Sequence, residues 1–404
     1  MSAQAGTKTG CNFLYSGSQN TNTYKKQAFV LIFFAFIFIG KTFAATVTTQ
    51  GSGNWSSTVP GLPWPGGVIP AAGSDIVIAD GTTLTVDGNR SCNSIGFADQ
   101  GPSANGTLSV NAGFTLTVAT TVSCPIATVD IKVTATYNLS GLGTINCANL
   151  ICNNTFKPSG SNTTVVTVIS TISNMNVSGD LILNGTVNQG NKTNNGVFNL
   201  QTGTVTVGGA ITTVDIANAN TTTFDMVTGS ASPTLILTNA SPFKLMNKGT
   251  SPMNFNGAGA TVNYASASAQ TTQGKSGSLN TTYTNLTLSG GGAKSLSNGI
   301  IVNGTLSMQG AATVASFTPT YGPSATLEYK GSTAQTTSDV EYPPTGLSGA
   351  PLNLRIDNPL GVTLNDDKSV SGTLSFINGK ITTGINTLSI GVAGTVTGAG
   401  PGKY

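Results

Sequence analysis

The sequence predicts an all-β fold, and more narrowly a right-handed parallel β-helix or solenoid with coils of about 18 to 23 residues. Three observations lead there: helix-forming residues are scarce, short apolar alternations end in glycine-rich turns, and segments of the chain repeat. The 404 residues include 51 Gly but two Glu and two Arg. Thr, Val and Asn recur instead, and these residues form strands and turns.

Short strands are indicated by apolar residues that alternate with polar ones, as in 181–183 and 205–207. One coil cannot bury its inward side chains, whereas coils stacked about 4.8 Å apart share a continuous core. Gly-Thr-aliphatic triplets recur at successive offsets of 37, 42, 18, 101, 68 and 22 along the chain and mark the period. They begin at Gly106, Gly143, Gly185, Gly203, Gly304, Gly372 and Gly394. The predicted inward residues are Leu181, Leu183, Val205, Val207, Leu286, Leu288, Leu306, Leu354 and Leu374.

A longer repeat contains this period. Segments 260–272 and 325–337 are identical at seven of thirteen positions, at an offset of 65. Further along, Asn285 matches Asn353 at an offset of 68, and a three-residue insertion in the loop around 342–350 explains the change. Tandem β-sandwiches are the competing architecture, since they also have short strands and frequent turns. An internal spacing near 20 with occasional loop insertions favours the solenoid.

The chain is therefore expected to divide into a leader and a series of coils. The predicted segments are a signal peptide at 1–44, an N-terminal cap and first coils at 45–118, solenoid coils at 119–258, repeat units at 259–323 and 324–391, and the start of a truncated further coil at 392–404. Nothing in that last segment resembles a terminal cap, so we expect the natural reading frame to continue and the isolated chain to self-associate end to end.

The N-terminus predicts export. Lys25 and Lys26 precede an apolar run at 28–39, and a cleavage site follows Ala44. Removing this leader takes away four Lys and leaves 13 basic against 14 acidic residues. Such a balance, with no cluster of Lys or Arg, argues against nucleic acid or an anionic membrane surface as a partner. The apolar run is too short for a membrane-spanning helix and is expected to be cleaved off, so no membrane insertion of the mature chain is predicted.

Four cysteines remain after the leader: Cys92, Cys124, Cys147 and Cys152. An even number in an exported protein permits two disulfides. The offset between Cys124 and Cys147 is close to the predicted coil length, so these two could stack on adjacent coils. Buried, unpaired thiols acting as small core residues are an equally good interpretation.

The segment at 54–87 resembles the opening of the domain family named for its eight glycines. It carries, in order, Asn54, Trp55, Pro70, Gly73, Asp75, Val77, Ile78, Gly81, Leu84, Val86 and Asp87. The resemblance covers about 54–118 and implies an N-terminal cap and the first coils of a β-helix. Trp55 and Trp64 then serve packing within that cap rather than sugar stacking.

The longer repeat is similar to repeats of bacterial surface and adhesin-like proteins exported by the type IX route. Tyr264, Gln270, 285–288 and 304–306 carry the pattern, and the second copy departs from it at Arg355. The resemblance implies a surface protein. Such proteins usually end in a C-terminal sorting domain, which this sequence does not show.

Enzymatic chemistry finds little support. The absence of histidine excludes Ser-His-Asp and Cys-His pairs and His-ligated metals. The adjacent acids Asp366 and Asp367 are expected in a solvated turn rather than as a catalytic pair. We predict no catalytic, cofactor-binding or metal-binding residue, and no cofactor.

The predicted function is a secreted or cell-surface, structural or adhesin-like solenoid module without catalysis, with an unknown surface or glycan ligand. The alternative is a β-helix that binds or cleaves carbohydrate. A minor alternative is an ice-binding solenoid. It is suggested by Thr-x-Thr motifs whose spacing along the sequence is irregular, and these motifs begin at Thr83, Thr115, Thr134, Thr204 and Thr395.

Overall fold

Apolar alternation in this chain produces strands throughout the part that the structure describes. The computed structural model describes residues 45–98, 104–124, 133–153, 163–184, 193–213, 222–229, 231–245, 251–274 and 280–401. The predicted leader at 1–44 and the triplet at Gly185 lie outside these residues. Within them the chain forms 36 β-strands and one short 3-10 helix at Pro65–Gly67. No helix in these ranges is long and apolar enough to cross a membrane.

The strands are short, as the frequent Gly and Asn turns predict. In chain order they are β1 (Thr46–Thr48), β2 (Gly53–Asn54), β3 (Asp75–Ile78), β4 (Thr83–Val86), β5 (Arg90–Cys92), β6 (Ser94–Phe97), β7 (Asn105–Val110), β8 (Thr115–Ser123), β9 (Val133–Ser140), β10 (Thr144–Ile151), β11 (Thr163–Ser170), β12 (Asn174–Val177), β13 (Leu181–Asn184), β14 (Thr193–Leu200), β15 (Thr204–Val207), β16 (Ile211–Thr213), β17 (Thr223–Asp225) and β18 (Thr234–Leu237). They continue as β19 (Phe243–Leu245), β20 (Met253–Asn254), β21 (Thr261–Tyr264), β22 (Gln270–Thr271), β23 (Thr281–Tyr283), β24 (Asn285–Leu288), β25 (Ala293–Leu296), β26 (Ile300–Val302), β27 (Thr305–Gln309), β28 (Thr313–Ser316), β29 (Thr320–Tyr321), β30 (Thr326–Lys330), β31 (Gln335–Thr336), β32 (Asn353–Thr363), β33 (Lys368–Val370), β34 (Thr373–Thr382), β35 (Leu388–Ile390) and β36 (Thr395–Thr397).

The pairings between these strands are parallel, and they join each coil to the coils before and after it. The strands form one 20-stranded sheet, one 8-stranded sheet and three smaller sheets. The 8-stranded sheet runs β2-β4-β7-β9-β11-β14-β17-β20. This topology confirms the predicted parallel β-helix and shows that tandem β-sandwiches, which need antiparallel pairs, were the wrong alternative.

Coil length is less uniform than the sequence period suggests. The coil from Leu286 to its register partner Leu306 lies within the predicted range. The coil from Thr204 to its partner Thr234 is half as long again. The additional residues of the longer coils lie between strands of different sheets: β10 ends at Ile151, for example, and β11 begins at Thr163. The strands therefore keep their register while the connections vary, as expected for a solenoid.

The longer repeat, with its offset of 65, corresponds to three coils. Val262 pairs with Leu286, Leu286 with Leu306, and Leu306 with Leu327. The next coil, which opens the second copy, runs from Leu327 to Leu354, whereas its counterpart in the first copy runs from Val262 to Leu286. The second copy is longer here by the same three-residue insertion that was inferred from the change of offset.

The core is a continuous interior column of apolar residues, as the alternation predicts. All nine predicted inward residues are buried, none of them more than 4% exposed. Aromatic rings stack along the interior, with centroid separations of 5.3 Å for Phe198 to Phe224, 6.0 Å for Phe224 to Phe255, and 5.2 Å for Phe255 to Tyr283.

Two tryptophans close the core at its N-terminal end. Trp55 and Trp64 are both buried and pack edge to face. The Trp64 Nε1–H donates to the Trp55 carbonyl oxygen at 2.7 Å, so the polar part of the buried indole has a partner. Packing, the predicted role of both tryptophans, is confirmed.

The four cysteines in the described residues are buried free thiols. Cys147 is paired in register with Val118 and Val177, so the suggested stacking of Cys147 on Cys124 is wrong. Cys124 instead follows Ser123, which pairs with Ile151, and so lies beside Cys152. The coil from Cys124 to its neighbour is longer than the predicted period, so this neighbour is Cys152 rather than Cys147. Burial raises the pKa of Cys92 and of Cys147 to about 12.

The alternation of inward and outward residues along β18 allows core packing to be tested with two adjacent residues. Leu235 is fully buried, whereas Ile236 points outward. We expect Leu235→Ala to lower the free energy of unfolding by about 2 to 5 kcal/mol, because it leaves a cavity in the shared core. The control Ile236→Ala is expected to change it by about 0.5 kcal/mol or less. Chemical denaturation monitored by circular dichroism measures both, and equal effects of the two substitutions would contradict the register.

Candidate functional site

The outward surface of the largest sheet carries a ladder of Thr and Asn. In register from coil to coil, the first column of outward residues consists of Thr115, Thr144, Asn174, Thr204, Thr234, Thr261, Asn285, Thr305, Thr326, Asn353, Thr373 and Thr395. All twelve positions are Thr or Asn, although no constant sequence spacing connects them. The ladder arises because each strand begins with a polar residue followed by an inward aliphatic residue.

A second column lies two residues further along the same strands. Its members are Thr117, Asn146, Asn176, Thr206, Ile236, Asn263, Thr287, Ser307, Glu328, Arg355, Ser375 and Thr397. We call the two columns together the Thr/Asn face. From Thr117 to Ser307 the second column is uncharged, and the first charges appear at Glu328 and Arg355.

Some of these asparagines serve the fold itself. The Asn285 Oδ1 accepts a hydrogen bond from the Thr305 backbone N–H at 3.1 Å, and the Asn353 Oδ1 accepts one from the Thr373 N–H at 2.8 Å. These amides therefore satisfy backbone donors at the start of the next strand. The Asn176 Nδ2 donates to the Asn146 Oδ1 of the preceding coil at 2.8 Å, which orients both amides on the face.

The structure changes the interpretation of the Thr-x-Thr motifs. Thr115, Thr204 and Thr395 lie in the first column of the Thr/Asn face. Thr83 and Thr134 lie in β4 and β9 of the 8-stranded sheet instead. The irregular sequence spacing of these motifs therefore has two causes, their distribution over two sheets and the unequal lengths of the coils. In space, neighbouring coils are about 4.8 Å apart and alternate residues of a strand about 6.6 Å apart, so the columns are regular.

A charged depression interrupts the face at Glu328 and Arg355. These residues pair in register, and the Arg355 Nε lies 3.3 Å from the Glu328 Oε1. The Ser307 hydroxyl donates to the Glu328 Oε2 at 2.6 Å. The depression has a volume of about 270 Å³ and is lined by Thr261, Asn285, Thr287, Thr305, Ser307, Gln309, Glu328 and Arg355. A carboxylate, a guanidinium, amides and hydroxyls thus surround one small concavity.

Within the two columns of the Thr/Asn face, the ion pair occupies the two places where the repeat copies differ. Asn263 of the first copy corresponds to Glu328, and Thr287 corresponds to Arg355. Asn263 pairs in register with Thr287, just as Glu328 pairs with Arg355. The two differences therefore face each other, and a neutral pair in one copy becomes an ion pair in the other.

The Ala-Gln-Thr motif of the repeat has a structural role. The Gln270 amide nitrogen donates to the carbonyl oxygens of Leu237 at 3.0 Å and Asn239 at 2.8 Å. Its amide oxygen lies 3.3 Å from the Nζ of Lys294, a residue whose side chain is fully buried. In the second copy the Gln335 amide nitrogen donates to the Met308 carbonyl oxygen at 3.0 Å. The glutamine thus donates to backbone carbonyl groups of the preceding coil, one of which, that of Leu237, also accepts from the Ala265 N–H at 2.8 Å.

A second polar cluster lies where the three-residue insertion folds onto the coil. The Glu341 carboxylate accepts hydrogen bonds from the Tyr329 hydroxyl at 2.8 Å, from the Ser338 N–H at 2.6 Å and from the Ser338 hydroxyl. It borders a cavity of about 370 Å³ that also touches Gln335 and Met308. Burial raises the pKa of Glu341 above its ordinary value, an effect that the hydrogen bonds oppose.

Lys368 hydrogen-bonds to the same loop. Its Nζ donates to the Asp339 Oδ1 at 2.7 Å and to the Tyr342 carbonyl oxygen at 2.6 Å, and its side chain is fully buried. The hydrogen bond from Lys368 lowers the pKa of Asp339. The cluster therefore contains two carboxylates, a phenol and an ammonium, each of which has a hydrogen-bond partner in or beside the loop.

The adjacent acids Asp366 and Asp367 lie in a bend, as predicted. The Asp367 Oδ1 accepts from the Thr387 N–H at 2.6 Å, and the Asp366 Oδ1 accepts from the Asp367 N–H at 2.7 Å. Both carboxylates thus bond to backbone. Within the described ranges, no three Cys, Asp or Glu side chains gather as metal ligands.

Comparison with known proteins identifies no relative. A scan against protein-family models, a search of curated proteins and a search of solved structures found no match. The function of the surface is therefore inferred from its own geometry. The Thr-x-Thr motifs named three residues of the first column, but sequence reasoning missed both columns and the ion pair. Neighbours on the face, such as Thr144 and Asn174, are a whole coil apart in sequence.

The buried Glu341 gives a pH-dependent stability. Its pKa is raised in the folded state, so the folded protein keeps the proton at a pH where the unfolded chain has lost it. The free energy of unfolding should consequently fall as the pH rises above about 4, the ordinary range of a glutamate, and through the raised pKa of the folded state. We expect Glu341→Gln to flatten this dependence. Tyr329→Phe should steepen it, because it removes a hydrogen bond to the charged form.

Urea denaturation at a series of pH values, from acidic to neutral, measures these slopes. The wild-type chain and both variants are compared in the same buffers, so that contributions from other acids cancel. An unchanged slope in Glu341→Gln would rule out this carboxyl group as the source.

Proposed function

We propose that this protein is a secreted or cell-surface solenoid module of the structural, adhesin-like type, without catalytic activity, and that the Thr/Asn face is its contact surface. The observation that carries the proposal is the ladder of twelve Thr and Asn positions in the first column of the face. The leader at 1–44, with its apolar run and small residues before the cleavage site, supports export.

A long, repetitive surface suits adhesion because weak contacts add along its length. Each coil presents a short polar side chain at the same height, and the shared apolar core keeps the coils in register. Many individually weak hydrogen bonds to an extended surface then give a useful total affinity. A surface of this kind needs no reactive group. The acids described above are engaged with backbone, hydroxyl or cationic partners, which also supports a non-catalytic function.

A second candidate function, carbohydrate binding, is favoured by the depression at Glu328 and Arg355. Its lining offers donors and acceptors at short range, which is the way proteins orient polar ligands within a concavity. Arg355 is about half exposed and uses its Nε for Glu328, so the rest of the guanidinium is open to a ligand of the depression. Cleavage of a polysaccharide would further require a free acid placed across the bond, and the Glu328 carboxylate is already paired.

Adhesion is tested by interrupting the face at its centre. We expect Thr204→Glu combined with Thr234→Glu to lower attachment of the purified, fluorescently labelled chain to cells and to polysaccharide-coated surfaces by about tenfold, because charges interrupt the multivalent array. The matched control is Thr83→Glu with Thr107→Glu, which pair in register on the 8-stranded sheet. Equal attachment of both variants, or the release of polysaccharide fragments, would contradict the proposal.

Carbohydrate binding at the depression is tested by giving the second repeat copy the residues of the first copy. Glu328→Asn with Arg355→Thr rebuilds the neutral pair of the first copy, so we expect a change in unfolding free energy of about 1 kcal/mol or less. Binding on a glycan array should be lost in this double variant if the depression is the ligand site. Arg355→Thr alone leaves the Glu328 carboxylate without its cation and should destabilise the chain more than the double variant does. Glycan binding that survives the double variant would exclude this site.

A further inference from the structure

We infer that the uncharged N-terminal part of the Thr/Asn face, from Thr115 to Asn263, binds the ordered water of an ice crystal surface. We call this part the neutral segment; it comprises six coils and two outward residues per coil. The inference rests on the proposed function, since it uses the same face as contact surface, and it names the kind of surface that the face contacts.

The neutral segment is regular in two directions. Backbone hydrogen bonds hold neighbouring coils about 4.8 Å apart, and the two columns are separated by about 6.6 Å along each strand. Every pairing from Thr144 to Thr261 in the first column is in direct register, through Asn174, Thr204 and Thr234. The side chains therefore form a lattice of nodes. An ice surface is likewise a lattice of water oxygens that repeats in two directions. Water molecules that are ordered by one side chain of the face can therefore extend the same lattice to the next side chain.

The side chains at these nodes are mostly short hydroxyls and amides. Threonine places a hydroxyl and a methyl group on a stiff, β-branched side chain, so the position of its oxygen varies little. The asparagine pair at Asn146 and Asn176 is held by a hydrogen bond of 2.8 Å between the two amides. Short, rigid hydroxyls and amides can accept from and donate to water in a repeated pattern. Long flexible side chains would lose rotamer entropy on contact with the lattice.

The neutral segment also lacks charged side chains. Eleven of the twelve residues of the neutral segment are Thr or Asn and the twelfth is Ile236, so none of them is Asp, Glu, Lys or Arg. A charge orients water radially around itself and would interrupt a lattice of neutral donors and acceptors. Ice is uncharged, so the segment matches it in charge as well as in repeat. The charges of the face begin beyond it, at Glu328 and Arg355, where the surface also becomes concave.

The neutral segment is less suited to a soluble glycan. It contains no outward Trp, Tyr or Phe on which a sugar ring could stack. The concavity with convergent polar groups lies at its far end, where Thr261 is the one residue of the segment in the lining. An extended solid with a repeating surface is the ligand that best fits this regularly spaced row of short, uncharged side chains.

The test measures ice growth in the presence of the purified chain. We expect inhibition of ice recrystallisation and a gap between melting and freezing points, both absent with an equal mass of serum albumin. Thr204→Tyr with Thr234→Tyr places bulky rings in the centre of the lattice and should lower the activity by about tenfold, because the array acts as a unit. The control Thr83→Tyr with Thr107→Tyr, on the 8-stranded sheet, should retain full activity. Circular dichroism and thermal unfolding verify that both double variants are folded.

The outcomes separate this inference from the proposed function. Wild-type chain that does not slow ice growth overturns the inference, as does equal activity of the two double variants. If ice activity is missing but the Thr204 and Thr234 substitutions abolish attachment to cells or glycans, the adhesion proposal stands and the ice inference fails. If ice activity is present and attachment is absent, the inference stands and the adhesion proposal fails.

Discussion

The parallel hydrogen-bond register between successive coils is the constraint on which the rest of this structure depends. A single coil of roughly 20 to 30 residues cannot bury its own apolar side chains. Stacking in register places each inward residue on the equivalent inward residue of the coil below, as Leu286 lies on Leu306. The same register necessarily aligns the outward residues. A core of Val, Leu and aromatic residues and a ladder of Thr and Asn are thus two consequences of one set of backbone hydrogen bonds.

The interior tolerates polar groups where the coil turns from one sheet to the next, because these groups hydrogen-bond to one another and to backbone carbonyl groups. The two repeat copies use related solutions. In the first copy Gln270 and the buried ammonium of Lys294 are 3.3 Å apart, and Lys294 also donates to the Ser266 carbonyl oxygen at 2.5 Å. In the second copy the Asn358 amide nitrogen donates to the Gln335 amide oxygen at 2.8 Å. A buried cation costs free energy unless it is hydrogen-bonded, and burial lowers the pKa of Lys294 accordingly.

The outward residues of the largest sheet differ in charge along the chain, and the charged residues are grouped in one part of it. The first part of the face is neutral, while the second carries the Glu328 to Arg355 pair and, beside it, the Lys330 to Asp357 pair with a separation of 3.7 Å. Because the residues of each pair are neighbours on adjacent coils, opposite charges compensate each other across the ladder. The solenoid therefore presents a neutral, regular part and a charged, concave part on the same face, above one continuous apolar core.

The sequence alone determined the fold class, because strand alternation, glycine turns and the internal repeat are local signals. It also identified the buried residues, since alternation assigns Leu286 and Leu306 inward whatever the length of the loops. Only the tertiary structure decided which distant residues become neighbours. Coil length changes along the chain, so the neighbour of Cys124 and the partners of each outward Thr could not be counted from a constant period. The Thr/Asn face and the Glu328–Arg355 pair exist because backbone hydrogen bonds, rather than sequence spacing, set the register.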